Sequence, residues 1–108
     1  MHPNTQQQVY RGLEGRIFAD FDNERVFDFN IVGLSQTNEV LNFEGHRVVL
    51  KEQDFVYLYM QVDEFLAQYV VAEGKVIANP YESKPYRWCC QLTTEIEYFE
   101  DYQQRWSK

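Results

Sequence analysis

Only two cysteines and two histidines occur in the 108 residues, and they sit as Cys89 beside Cys90 and as the distant His2 and His46. A structural zinc centre needs three or four such ligands in a tetrahedral array, so this supply argues against one. Neighbouring cysteines in an extended segment leave opposite faces, which neither chelates one ion nor favours a bond between them; both read as reduced thiols. The chain contains no G-x-S-x-G, no phosphate-binding glycine loop, no dinucleotide fingerprint and no H-E-x-x-H. No catalytic residue and no cofactor is therefore expected. The longest apolar run, Phe55–Met60, falls far short of the roughly 18 residues that cross a bilayer, and Met1–Val9 holds no basic segment followed by an apolar one. The expectation is a cytoplasmic protein without a membrane partner. Basic residues are scarce as well: ten Lys and Arg stand against seventeen Asp and Glu, a formal charge of −7, and they are spread singly along the chain. Such a field repels phosphate backbones, which disfavours direct nucleic-acid binding.

Against these shortages stands a rich apolar content. Hydrophobic residues make up 44% of the chain, and eight Tyr, eight Phe and two Trp are among them. A chain of this length buries about two thirds of its extended surface on folding, enough for one core and no second domain. Residues 1–8, polar and aperiodic, read as a flexible arm; residues 9–108 read as a single compact domain.

The periodicity is mainly that of strands. Ile17, Ala19 and Phe21 alternate with polar positions; Asp22, Asn23 and Glu24 then supply a turn before Val26–Val32, which predicts a first hairpin. Val40–Phe43 and His46–Leu50 flank Glu44 and Gly45, which predicts a second. Residues 54–72 admit two readings. Phe55, Leu58, Tyr59, Val62, Phe65, Leu66 and Tyr69 form a helical stripe, whereas the density of β-branched and aromatic residues favours strands, with Glu73 and Gly74 as the following turn. Tyr86, Trp88, Cys90, Leu92, Thr94 and Ile96 alternate most clearly of all. After them Thr94 and Glu97 have capping-box spacing for a helix that would align Ile96, Phe99, Tyr102 and Trp106. The fold class expected is mainly antiparallel β, as a meander, small barrel or sandwich, with a C-terminal helix; the alternative is α+β with a long central helix at 54–72.

Chemistry-bearing pairs are present without a constellation to join them. Cys89 with His46 is a conceivable thiolate pair, but nothing in their spacing requires it; core packing of Cys90 and a surface His46 is the plainer account. Asp20 with Asp28, or Glu95 with Glu97, offer paired carboxylates of a kind any acidic chain supplies. Asp20, Asp22, Asn23 and Glu24 lack the glycine and terminal glutamate of a calcium loop. The aromatic and acidic residues of the C-terminus carry more weight. Glu95, Glu97, Tyr98, Glu100, Asp101, Tyr102 and Trp106 are the candidate partner-binding set, suited to a basic or amphipathic protein, and make the chain a small acidic non-catalytic interaction module such as an inhibitor, immunity protein or adaptor. The alternative is a β domain that takes a small apolar or planar ligand into an aromatic-lined cavity, with Tyr57, Tyr59, Tyr69 and Trp88 as its lining. Exposed strand edges leave homo-oligomerisation open under either reading.

Overall fold

The computed structural model describes residues 10–21, 30–63, 65–80 and 85–107. They form a mainly antiparallel β fold closed by one C-terminal helix. Its centre is a long hairpin of β5 (Phe55–Asp63) and β6 (Gln68–Ala78), paired from Phe55↔Lys75 to Asp63↔Gln68. Along β5 the side chains of Val56, Leu58 and Met60 are buried while those of Phe55, Tyr57 and Tyr59 face the other way, the period-two pattern of a strand. The central helix of the alternative reading is therefore overturned: its stripe would bury Phe65, which instead stands fully exposed at the hairpin tip. The expected turn at Glu73 and Gly74 is overturned too. The chain reverses between Asp63 and Gln68, and Gly74 lies inside β6, where a Cβ would collide with the Gln91 carbonyl oxygen and come within 2.6 Å of the Cys90 sulfur. The glycine there admits the neighbouring strand; it does not bend its own.

Four further strands complete the sheet. β7 (Trp88–Leu92) pairs antiparallel with the second half of β6, and β2 (Ile31–Ser35) pairs antiparallel with β7. β1 (Ile17–Phe18) pairs with β5 in parallel, Ile17↔Leu58 and Phe18↔Tyr59, which gives the order β1-β5-β6-β7-β2. The first predicted hairpin is thus corrected: β1 and β2 lie at opposite ends of that order, because each finds a longer apolar neighbour than the other would provide. Its turn, Asp22–Glu24, and the Val26–Phe29 part of its second strand lie outside the described residues, as does the expected arm at 1–8. The second hairpin forms as predicted, β3 (Glu39–Leu41) on β4 (Arg47–Val49), with Gly45 at φ 86°. β8 (Glu97–Tyr98) continues the chain after β7 along the same edge of β6, opposite Val71 and Val70, and runs directly into α1 (Phe99–Trp106).

Alternation gives the sheet two buried faces. On the inner face Ile17, Val32, Leu58, Met60, Val76 and Cys90 form the main core, and the β3–β4 hairpin adds Val40 and Val48 beside Leu50. Each fully buried Val or Leu there is worth about 1.5–3 kcal/mol. On the outer face, Cys89 packs with Ile31, Ile77 and Tyr86 at one end, and α1 lies against β6 at the other. Among the described residues no helix is long and apolar enough to cross a membrane.

Candidate functional site

The outer face under α1 is organised by a buried cation. Arg16 directly precedes β1, so alternation sends its side chain to the face opposite Ile17, where it is 0% exposed. Its Nε donates to the Gly12 carbonyl at 3.0 Å, one terminal nitrogen to the Arg11 carbonyl at 3.1 Å, and the other to the Leu58 and Ala72 carbonyls at 3.3 and 3.5 Å. Burial lowers its pKa, partly offset by Tyr102 and Glu73. No carboxylate lies within ion-pair distance among the described residues; carbonyl dipoles and the Tyr102 ring, 5.1 Å away, carry the charge.

Tyr102 is the second hub. At 4% exposure it is a core residue of this face and not part of a partner-binding surface. Its hydroxyl accepts the Arg11 N–H at 2.9 Å, and Tyr10, Phe99 and Trp106 pack around its ring. A cavity of about 270 Å³ opens beside it, with Glu73, Glu95, Glu97, Arg105 and Trp106 among its lining. Glu97 is committed there to Arg105 at 2.7 Å, so Glu95 and Glu97 are not a free acid–base pair. Burial raises the Glu73 carboxyl above its ordinary pKa even though Arg16, Arg11 and Arg105 act the other way. Thr94, expected to cap the helix, spends its hydroxyl oxygen accepting the Glu73 N–H at 3.0 Å; Tyr98 is the cap residue and makes no side-chain cap bond.

The remaining C-terminal residues face outward. Tyr98 is half exposed, and Glu95, Glu100, Asp101 and Trp106 are exposed. Tyr98 and Phe99 join Leu66 and Tyr69 in an open groove of about 350 Å³, between the β5–β6 turn and the start of α1, and among the described residues Glu100 is the one charged residue lining it. The turn that forms the other wall is built by Asp63, whose Oδ1 accepts the N–H groups of Phe65 at 2.9 Å and Leu66 at 3.0 Å, and by Ala67 at φ 51°. Phe65 is 100% and Leu66 67% exposed.

Protein-family models, curated proteins and solved structures contain no match to this chain. Function must be argued from the surface itself.

The four candidate ligand-lining residues do not converge on one hollow. Tyr59 and Tyr69 meet edge to face at 6.2 Å and share Phe43, at 5.2 and 5.7 Å, while Phe18 abuts Tyr59 at 6.0 Å. These rings fill one another's flanks in a row that leads to the groove through Tyr69. Tyr57 lies on the same face but under the Arg11 guanidinium, 4.7 Å from its ring. Trp88 packs against the inner core and donates its indole N–H to Asn38 at 3.0 Å. The catalytic alternatives separate likewise. Cys89 and Cys90 are both buried, on opposite faces, and burial pushes their thiols up to about 11 and about 12. His46 is exposed beside Glu44 at 3.7 Å. Asp28, and the Asp22–Glu24 part of the loop considered for calcium, lie outside the described residues; among those described, no three His, Cys, Asp or Glu side chains gather as a metal site.

Sequence reasoning missed two residues. Arg16 looked like one of many isolated surface cations; the signal was its place one step before an apolar alternation, which commits it to a sheet face. Phe65 was absorbed into the helical stripe, although Asp63 two residues earlier is a turn former.

Proposed function

We propose that this protein is a non-catalytic interaction module whose partner-binding surface is the groove between the β5–β6 turn and the β8–α1 junction. The observation that carries the reading is the groove's lining: Leu66, Tyr69, Tyr98 and Phe99 supply apolar and amphipathic area, Glu100 supplies negative charge, and among the described residues no Lys or Arg lines it. Aromatic rings with an acidic rim suit a basic, amphipathic protein segment, which buries its apolar side in the groove and sets its cations against Glu100 and the neighbouring Asp101. Inhibitor, immunity and adaptor roles all use such masking contacts. The formal charge of −7 steers basic partners toward the molecule. The reading includes a cytoplasmic setting, supported by the two buried, unbridged thiols.

The test is titration with a fluorescein-labelled amphipathic helix of lysine and leucine, read by anisotropy at several salt concentrations. Saturable binding is expected to weaken as salt rises and to fall about tenfold in the Glu100→Lys, Asp101→Lys double variant. Glu52→Lys, Asp54→Lys, changed outside the groove, should cost far less. Equal loss in both double variants would mean attraction to bulk charge alone and would overturn the assignment.

A further inference from the structure

We infer that Phe65 is a preformed anchor that inserts into an apolar socket, bordered by basic side chains, on a folded protein partner. The inference rests on the proposed interaction role and states what kind of surface the partner presents. A phenylalanine buries 150–250 Å² when it docks, so leaving one wholly in water forgoes a large stabilisation. Single exposed apolar residues are ordinary; this one differs in company and in support. Leu66 and half-exposed Val62 extend the apolar tip, and Leu66, the next residue along, itself lines the groove walled by Tyr98 and Phe99. The backbone beneath is held in place: two N–H groups of the tip converge on one Asp63 carboxylate oxygen, and a non-glycine residue, Ala67, accepts the left-handed conformation that closes the turn. A side chain projected from a fixed turn loses little entropy on docking, which is the property of an anchor.

Charge selects the occupant. Asp63 at the base of the tip and Glu100 in the groove are acidic, so the complementary socket carries Lys or Arg at its border. A second copy would set acid against acid, and an anionic membrane would repel the tip.

The experiment places a photo-crosslinking benzoylphenylalanine at Phe65, and separately at exposed Gln36, in the full chain inside its native cells. The protein joined through position 65 but not through 36 is then purified, and its affinity is measured for wild type, Phe65→Leu, Phe65→Ala and Glu100→Lys. Phe65→Ala is expected to weaken binding about 30-fold or more, as loss of a central anchor does, and Phe65→Leu less than about tenfold. Both Phe65 variants should melt with wild type, because that side chain is wholly exposed, and Glu100→Lys should lose no more than about 1 kcal/mol, the scale of a cation placed in the first turn of α1. Unchanged affinity in Phe65→Ala with weakened binding in Glu100→Lys overturns the anchor and leaves the groove standing; unchanged affinity in both overturns the two together. An adduct only to a second copy, no adduct, or Phe65-dependent binding to phosphatidylcholine vesicles likewise overturns the socketed protein partner.

Discussion

Arg16 shows how one side chain can tie together segments that no strand ladder joins. Its guanidinium spans the loop at Arg11 and Gly12 and the paired strands β5 and β6, using the fork of N–H groups that only arginine offers. A lysine has one ammonium and cannot reach carbonyls on both sides, yet it brings the same desolvation cost. Arg16→Lys should therefore destabilise the fold by about 2 kcal/mol or more, the scale of two buried acceptors left unpaired. Arg16→Met, which also abandons those carbonyls but removes the buried charge, should lose less than Arg16→Lys. Thermal melts of the two variants decide the point. Methionine faring worse than lysine would mean that the charge itself, through Tyr102 and Glu73, holds this face together.

The elements were legible in the sequence wherever burial alternates. Trp88, Cys90 and Leu92 announced β7 because β7 has one face on each packed layer, and Gly45 announced its turn because the left-handed backbone there suits glycine. Residues 55–72 were ambiguous for a physical reason: β5 and β6 bury parts of both faces, which removes the polar positions that would separate a period of two from one of 3.6. Gly74 pointed to a turn because a glycine required by a neighbouring strand looks in sequence like one required by the backbone. The real turn carries Ala67 at φ 51° in place of glycine, so its signal was weak. That position yields a direct check. Ala67→Gly relieves the left-handed strain but frees the unfolded chain, with a small net gain of up to about 1 kcal/mol, whereas Ala67→Val should lose more than that. Urea unfolding measures both, and a stabilising valine would show that the turn is not held as described. The groove shared that fate: Tyr98 and Glu100 were recognisable in the sequence, but their neighbours Leu66 and Tyr69 come from a hairpin whose position was not.

At the scale of the whole molecule, the parallel pairing of β1 with β5 and the return of β8 to β6 depend on contacts between distant segments, so local pattern could not reveal them. Burial does leave a global signature, in the dependence of stability on pH. Glu73, Cys89 and Cys90 all have pKa values raised by burial, so in each case the folded chain holds a proton that the unfolded chain releases sooner. Stability falls with rising pH wherever the folded state binds more protons, so all three act in the same direction in separate windows. Glu73 acts from its unfolded value near 4.3 up to its raised folded value, and the thiols act above about 8.5. The alkaline window is the cleaner one up to about pH 9.5, where tyrosines, ordinarily ionising near 10, are still mostly protonated in both states; above that, Tyr59 and Tyr102, also raised by burial, add to the same trend. Between about pH 8.5 and 9.5, two thiols that stay neutral when folded should each come to cost about 1.4 kcal/mol. The melting temperature should consequently drop steeply across that interval. In the Cys89→Ala, Cys90→Ala double variant it should start lower, because two packed sulfurs are gone, and then decline with a much shallower slope. High salt, which screens the repulsion of an acidic surface, should leave the difference between the two slopes intact. Parallel slopes for the two proteins would mean that the thiols ionise as freely in the fold as outside it, contrary to their burial on the two faces of β7.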